Sequence, residues 1–333
     1  EDHRLGCGYG FGPTGALAAQ EVFKDRDLVL ALGCKFSEMS AGSGWSMEMP
    51  GELIHVDTAP DVLGRNYHAA MAVCADVGPF LDEVLGLVEP AGERDRDPAL
   101  EEQIRQLRRR DHRWPRAVQG EEGVPPELFF SKLRARCPDE TVFVTDCGNH
   151  QLHALLHLTT RRPRTFITPA DYQAMGFGLP AAVGAALAHP HRPVVALVGA
   201  GGFPMSGFAL LPAARAGLNL PVVVFHAGAL GLLQHLQQRV PGQETGVSLR
   251  NPIFKDLALS LGAGYLEISR PTQLEHGLRD LTRRQGVVLL NLKVRDDGWP
   301  AYLEGAAGAS WRNKPLSEKV MLLLRRAKRA VKK

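Results

Sequence analysis

The 333-residue sequence lacks several features that would define its class at once. It has no apolar run close to the ~20 residues that a membrane-spanning helix requires, and no secretion signal at its start. Its five cysteines include no C-x-x-C pair. These absences argue against a zinc ribbon or a disulfide framework. We therefore expect reduced thiols in a cytoplasmic protein.

Aromatic residues are scarce at 7%, and an excess of positive charge is confined to the end of the chain. Residues 311–333 carry nine Lys or Arg and one Glu, whereas residues 1–310 have a net charge of −5. The main body therefore offers no basic excess for binding nucleic acid. The end has an apolar stripe at helical spacing, which fits a solvated terminal helix, a membrane-surface helix or a helix that docks on a partner.

Strand and helix patterns alternate over residues 1–90. Apolar, mostly β-branched runs predict buried strands, and apolar residues at helical spacing predict helices. The predicted strands are 28–32, 53–57 and 71–75, and the predicted helices are 15–24 and 77–87. Strands that alternate with helices are typical of a parallel sheet. The sequence therefore predicts a small Rossmann-like domain here.

Residues 91–122 carry charge of both signs and few apolar residues, which predicts a linker with one exposed helix. The run Arg108–Arg110 fits either a solvated helix face or a binding patch. Alternation resumes over 123–300, where strands are predicted at 141–145, 194–198, 221–225, 265–268 and 286–292 and helices at 125–136, 178–188 and 271–284. The predicted fold is α/β, with two Rossmann-like doubly wound parallel-sheet domains and a basic tail over 301–333.

The strand Val194–Val198 runs directly into a glycine-rich turn, Gly199–Gly202. Such a turn followed by a helix directs backbone N–H groups and the helix dipole at one point, which suits a phosphate. The next predicted strand ends in His226–Gly228, and loops at the carboxyl ends of adjacent parallel strands are where these sheets bind ligands. A diphosphate usually brings a divalent cation held by oxygen ligands. Neither loop contains a carboxylate or an amide side chain.

Five ordered segments carry a resemblance to a known family: Asp27–Gly33, Ile54–Asp57, Phe166–Thr168, Met175–Ala182 and Gly199–Phe203. Together they resemble the thiamine-diphosphate-dependent enzymes of the acetolactate synthase group. The resemblance implies a central domain over residues 1–90 and a diphosphate-binding domain over 123–300. It also implies thiamine diphosphate as cofactor, and the decarboxylation of a 2-keto acid with transfer of the remaining group, as a lyase or a carboligase.

The resemblance also assigns roles to individual residues. Met175 would be the apolar wedge that keeps the cofactor bent, with the backbone beside it holding the aminopyrimidine ring, and the glycine turns would contact the diphosphate. The cofactor-binding residues implied in this way are Gly148, Asn149, His150, Gln173, Ala174, Met175, Gly199, Gly201, Gly202, Phe203 and His226.

Several positions depart from the family pattern. Where the family has Gly-Asp-Gly and, some 25 residues later, Asn-Asn, this chain has Ala200 and Ala227 at the two ligand positions. His226 does not replace these ligands, because imidazole is a poor partner for magnesium. We therefore expect no metal ligands here and weak or no magnesium binding. Gln173 stands where the acetolactate synthases have glycine, and Pro212 would kink the helix after the turn.

The family's catalytic glutamate lies on a pyrimidine-binding domain that no segment of this sequence resembles. The catalytic residues are therefore unknown. The resemblance leads us to expect a pyrimidine domain from another chain or an upstream segment, or a homo-oligomer that completes the site. The alternative is a degenerate, non-catalytic homologue that serves as a structural or regulatory partner.

Other features have two interpretations. The segment Gly6–Gly12 resembles a loop that touches FAD in some relatives, but a flexible glycine loop explains it equally, and no strand precedes it as a dinucleotide fingerprint requires. His150, His226 and His235 fit either acid–base groups or structural histidines. Cys147 fits either a nucleophile or a packed thiol. Asp146 fits a strand-end residue, and Asp171 fits a loop-capping residue. A nicotinamide dehydrogenase would need a complete strand–Gly-x-Gly-x-x-Gly–helix motif, and no segment of this sequence supplies it.

Overall fold

The computed structural model describes residues 3–10, 15–37, 41, 47–89, 92, 96–111, 122–170, 172–238 and 244–295. These residues form two compact units, an N-terminal unit within residues 3–111 and a C-terminal unit within 122–295. In the described part of the chain, no helix is both long and apolar enough to cross a membrane. The predicted tail over 301–333, Asp171 and part of the Gly6–Gly12 segment lie outside the described residues.

The N-terminal unit is built on a parallel three-stranded sheet. Its described elements are α1 (Leu17–Phe23), β1 (Leu28–Leu32), β2 (Glu52–Asp57), β3 (Met71–Cys74), α2 (Val77–Leu87) and α3 (Pro98–Asp111). The strand order is β1-β2-β3, with Leu30 beside Ile54 and Ile54 beside Met71. The three predicted strands are therefore confirmed, and helix α2 has the bounds that its apolar spacing predicts.

Helix α3 corrects the prediction of an exposed helix in this region. Its residues Ile104 and Leu107 are buried and cluster with Ala18 of α1. Glu101 is also buried and forms ion pairs with Arg4 and Arg96. Because apolar residues three apart lie on one side of a helix, this short stripe is enough to bury that side. The opposite side remains exposed.

Acid should destabilise this helix through Glu101. The hydrogen bond from Arg96 lowers the pKa of Glu101 from 4.5 to about 2. A carboxyl whose pKa falls on folding stabilises the fold above its unfolded pKa and loses that contribution as the pH drops. We expect the hydrogen-exchange protection of residues 96–111, relative to the intrinsic exchange rate at each pH, to fall between pH 4.5 and 2, and Glu101→Gln to remove this loss of protection. Glu102→Gln is the matched control, because Glu102 is far more exposed on the same helix. Equal acid sensitivity in wild type and Glu101→Gln would contradict the assignment.

The C-terminal unit contains a six-stranded parallel sheet in the order β5-β4-β6-β7-β9-β8. The strands are β4 (Val142–Thr145), β5 (Phe166–Ile167), β6 (Val194–Gly199), β7 (Leu220–His226), β8 (Gly264–Ile268) and β9 (Val287–Lys293). The described helices are α4 (Pro126–Arg136), α5 (Asn149–His157), α6 (Gly178–Ala188), α7 (Phe203–Ser206), α8 (Leu210–Arg215), α9 (Gly231–Gln238), α10 (Phe254–Ser260) and α11 (Leu274–Arg283). Short 3-10 turns cover Gly207–Ala209 and Pro271–Gln273.

Both faces of this sheet are buried, and β6 shows it most simply. Its residues Val194, Ala196 and Val198 belong to one apolar cluster, which also contains residues of α6 and α10. The alternate residues Val195 and Leu197 belong to a second cluster, on the face covered by α4, α5 and α11. Successive side chains of a strand point to opposite faces, so the continuous apolar run reflects two buried sides. The predicted doubly wound α/β class is confirmed.

Several local features differ from the sequence-based expectation. Helix α5 and the two-residue strand β5 have no predicted counterpart. The helix after the glycine turn, α7, has only four residues before a 3-10 turn intervenes. Pro212 is the third residue of the next helix, α8. Its missing N–H costs nothing there, since N–H groups of a first turn have no intrahelical partner. In place of the expected kink, the helical segment is therefore interrupted before Pro212.

Candidate functional site

A cavity of about 220 Å³ opens where strands β4, β6 and β7 end. Eight of the eleven predicted cofactor-binding residues line it: Gly148, Asn149, His150, Gln173, Met175, Gly199, Gly201 and Gly202. Their role toward a cofactor stays a prediction. Apolar side chains that the sequence reasoning missed complete the wall, and they are Pro126, Leu230, Leu232, Leu233 and Val294. The apolar spacing of α9 and its position after β7 were the available signals for the leucines.

The glycine turn is fixed by its own backbone. Ala200 N donates to Phe225 O over 2.9 Å, and Gly202 N donates to Gly199 O over 3.0 Å. Gly201 is the residue of the turn that faces apolar cavity walls: a Cβ there would lie 2.5 Å from Leu230 Cδ2 and 3.1 Å from Met175 Cε. A glycine leaves room here without a shift of either side chain, so Gly201 is the best candidate for close backbone contact with a ligand.

The other glycines are required by side chains of the protein itself. A Cβ at Gly199 would come within 3.0 Å of His150 Cε1, and one at Gly148 within 3.1 Å of the same atom. A Cβ at Gly202 would overlap Asp146 Oδ2. The sequence-based interpretation assigned all these glycines to a diphosphate. In the structure, Gly148 and Gly199 leave room for the His150 ring, and Gly202 leaves room for the Asp146 carboxylate.

Asp146 is a fully buried carboxylate directly after β4. Its Oδ2 accepts a hydrogen bond from Gly176 N at 3.0 Å, and its Oδ1 accepts one from Gly178 N at 3.2 Å. Gly178 opens helix α6, where the helix dipole also favours a negative charge. Asp146 therefore ties the end of β4 to the start of α6 and holds the Met175 segment against the glycine turn.

His150 and His153 form the inner wall of the cavity. The His150 ring stacks on Phe225 with centroids 5.3 Å apart. Burial lowers the pKa of His150 to about 3 and that of His153 to about 4. Both rings are therefore neutral at neutral pH and contribute no positive charge to the cavity. Asn149 Nδ2 lies 3.4 Å from His235 Nδ1, which brings His235 to the same side.

Three predicted cofactor-binding residues, Ala174, Phe203 and His226, are not among the residues that line the cavity. His226 pairs with Asn291 Oδ1 through Nδ1 at 3.1 Å and packs edge-on against Phe254. Phe203 is fully buried beneath the turn, where it also contacts Phe254. Ala174 is exposed outside the cavity. The contacts of His226 and Phe203 come from residues distant in sequence, which a local pattern does not reveal.

Cys147 lines the cavity but does not have the properties of a nucleophile. Its thiol is half-buried, and burial followed by the charge of Asp146 raises its pKa. A reactive cysteine needs a lowered pKa. The structure therefore favours the packed thiol. All five cysteines are free.

Gln173 adopts a left-handed backbone conformation, with φ of +50°. Such a conformation costs an L-residue about 1–2 kcal/mol relative to glycine. We expect Gln173→Gly to stabilise the chain by about 1 kcal/mol in urea unfolding. Arg164→Gly is the matched control, because Arg164 has φ of +58° and is not among the residues lining the cavity. Both substitutions should stabilise, and only the first should alter ligand binding. A destabilised Gln173→Gly would contradict the strain argument.

The two positions predicted to lack metal ligands lie at the cavity. Ala200 is buried at the end of β6, and Ala227 is exposed at the end of β7. None of the described residues lining the cavity is Asp, Glu, Lys or Arg. Magnesium prefers hard oxygen ligands, which the lining offers only as amides of Asn149 and Gln173 and as backbone carbonyls. The donor set therefore does not fit magnesium.

The fold and site define a doubly wound α/β protein with a ligand cavity at the carboxyl ends of adjacent parallel strands. The chain belongs to the thiamine pyrophosphate enzyme family. The model of that family's central domain matches residues 1–84, and the model of its C-terminal TPP binding domain matches residues 146–292. The resemblance found in the sequence is thereby confirmed.

Several curated proteins are similar to this chain over most of its length. The acetolactate synthase isozyme 2 large subunit of Escherichia coli is 31% identical over 303 residues, which cover 90% of this chain and 54% of that protein. A probable acetolactate synthase large subunit of Methanocaldococcus jannaschii is 27% identical, over 88% of this chain and 50% of that protein. The mitochondrial acetolactate synthase catalytic subunit of Saccharomyces cerevisiae is 26% identical, over 85% and 43%. The chain spans about half the length of these relatives.

Proposed function

We propose that this chain is the diphosphate-binding part of an acetolactate synthase-like enzyme that decarboxylates 2-keto acids and transfers the remaining group. The observation that carries this proposal is a single cavity that collects the Gly148–His150 loop, Met175 and Gly201. These are the positions that the resemblance assigns to thiamine diphosphate, and they come from three separate loops.

The geometry fits a diphosphate bound by backbone groups. Gly148, Asn149 and His150 form the start of α5 and line the cavity. First-turn N–H groups of a helix lack intrahelical partners and attract anions. Gly201 leaves space for close approach from the opposite side. The neutral histidines add no charge, so the diphosphate would depend on these N–H groups and the dipole of α5.

Thiamine diphosphate, when bound, supplies a nucleophilic carbon for addition to a 2-keto acid and for loss of carbon dioxide. The residues of this chain would bind and orient it. Met175 would support the bent cofactor, and Leu230 and Leu233 would keep water from the cavity wall. A pyrimidine domain from another chain or from a longer form of this protein would complete the site.

Magnesium does not fit the donor set of this cavity. We propose that the cofactor binds without the usual metal.

A second candidate is a non-catalytic homologue that acts as a structural or regulatory partner. It is favoured by the same cavity: Ala200 and Ala227 remove both metal ligands, and Gly148, Gly199 and Gly202 are packed by side chains of the protein. In that case the family fold is retained as an assembly surface. The two candidates differ in whether the cavity binds the cofactor.

Titration of thiamine diphosphate into the full chain, with and without Mg²⁺, separates these candidates. The first predicts binding on the order of micromolar that is unaffected by Mg²⁺ and is lost in Gly201→Val, whose side chain would occupy the cavity. Gly184→Val is the control, because no atom lies within 4 Å of a Cβ at Gly184 and its backbone is helical. No binding, also when a pyrimidine-domain-bearing partner is added, would refute the first candidate and leave the second.

A further inference from the structure

A second group of ligand-type side chains lies behind the cavity, between α4 and α5. His153 and His157 are one helical turn apart on α5 and stack with ring centroids 5.8 Å apart. Glu127 lies in the first turn of α4. One ligand atom from each residue lies within 4.8 Å of the other two. Within the described residues, this is the one such group of three that could hold a metal ion.

The burial of the two histidines is hard to explain by packing alone. His153 is 4% exposed and His157 is 8% exposed. The Nδ1 atom of His153 is buried and makes no hydrogen bond to any described residue. Buried polar atoms are normally paired, and an unpaired one costs about 1–3 kcal/mol. A cation bound between the rings would satisfy this nitrogen.

The spacing and chemistry of the three side chains also favour a metal ligand set. Two histidines separated by three residues on one helix face are a common zinc-binding spacing. The carboxylate of Glu127 adds an oxygen ligand of the opposite charge.

We propose that Glu127, His153 and His157 bind a divalent transition-metal ion of the zinc class. Two imidazole nitrogens and one carboxylate oxygen fit zinc, which leaves a fourth position for water. Zinc–ligand bonds of ~2.1 Å place tetrahedral ligand atoms roughly 3.4 Å apart. Ring rotations of the two histidines would therefore close the site. Magnesium is disfavoured by the imidazoles, so this site is chemically distinct from the family's metal position.

The ion would have a structural consequence for the cavity. His153 belongs to both the proposed metal site and the cavity wall. Metal binding would fix α4 against α5 and hold the His153 ring in one orientation. The proposal does not rest on thiamine diphosphate, because all three ligands belong to this chain and need no cofactor.

Titration of Zn²⁺ and Co²⁺ into the chelator-treated full chain tests the proposal. We expect one ion per chain, a higher melting temperature with Zn²⁺, and a tetrahedral Co²⁺ absorption spectrum. Glu127→Gln and His157→Ala should each weaken Zn²⁺ binding by more than about 100-fold, beyond the 10–100-fold loss that follows removal of an outer-shell partner. His276→Ala is the matched control, since His276 pairs with Asp280 one turn away on the exposed side of α11.

The outcomes are distinguishable even if a buried variant misfolds. Glu127 is half-buried, so Glu127→Gln should keep the fold, as circular dichroism would verify. Unchanged Zn²⁺ affinity and an unchanged Co²⁺ spectrum in folded Glu127→Gln would overturn the proposal. So would a loss of binding in His276→Ala or in His235→Ala alone, because the ion would then sit elsewhere. Failure of wild type to bind one ion would also refute it.

Discussion

Gly202→Ala should destabilise the C-terminal unit by about 3 kcal/mol or more, a large effect for one methyl group. The added Cβ would overlap Asp146 Oδ2 and lie 3.3 Å from Gly176 N. Asp146 would have to move, and its hydrogen bonds from Gly176 and Gly178 would be lost within a buried region. Unpaired buried charges and donors have the largest costs among single substitutions. Urea unfolding of the full chain measures this loss.

Two further variants isolate the cause. Gly184→Ala, in the exposed middle of α6, meets no atom within 4 Å of the added Cβ and should stabilise by about 0.5–1 kcal/mol. Asp146→Ala removes the carboxylate that the methyl group of Gly202→Ala would overlap. Adding Gly202→Ala to Asp146→Ala should therefore cost little more than Asp146→Ala alone. Additive losses would show that Gly202 is needed for another reason.

The second large effect concerns the paired substitution Ala200→Asp with Ala227→Asn. It restores a carboxylate and an amide oxygen at the ends of β6 and β7. Without metal, the variant should be less stable than wild type, because Ala200 is only 3% exposed and a buried carboxylate is costly. With Mg²⁺, we expect the melting temperature to recover. Thiamine diphosphate should then bind roughly 10- to 100-fold more tightly than without Mg²⁺, by analogy with the energetic weight of metal-site partners.

The single variants are the controls for this pair. Ala200→Asp alone should show the loss of stability with weaker recovery by Mg²⁺, and Ala227→Asn alone should leave stability nearly unchanged, since Ala227 is exposed. Indifference of the double variant to Mg²⁺, in both melting temperature and cofactor binding, would show that the two loops do not share one metal position.

The sheet was predictable because its signals are local. Strands β4, β6, β7 and β9 each contain a continuous run of at least three apolar residues. Helix α2 is capped by Asp76, whose side chain accepts from Gly78 N at 2.9 Å. Helix α5 was missed because its histidines and amides give little apolar periodicity. It is nonetheless the element that supplies both the first-turn donors of the cavity and two ligands of the proposed zinc site.

The sequence predicted which loops form the site but not which side chains contact one another within it. Parallel strands bring their carboxyl ends together, so the loops after β4, β6 and β7 were expected to meet. The partner of His226 is Asn291, and the partner of Gly202 is Asp146. These pairings depend on strand order and helix placement, which residue patterns within one loop do not contain. For this reason the glycines were assigned to a ligand before the side chains that need them were known.

The strand order β5-β4-β6 has a consequence for how this site can change during evolution. After β4 the chain leaves toward the face covered by α5, and after β6 it leaves toward the opposite face, where Phe203 and Leu210 are buried. A crevice must open at this topological switch point, whichever side chains border it. The cleft is therefore inherited with the backbone, whereas the chemistry is held by a few exchangeable side chains. We therefore expect two substitutions to be enough to remove a metal from such a site, or to return it, while the fold stays the same.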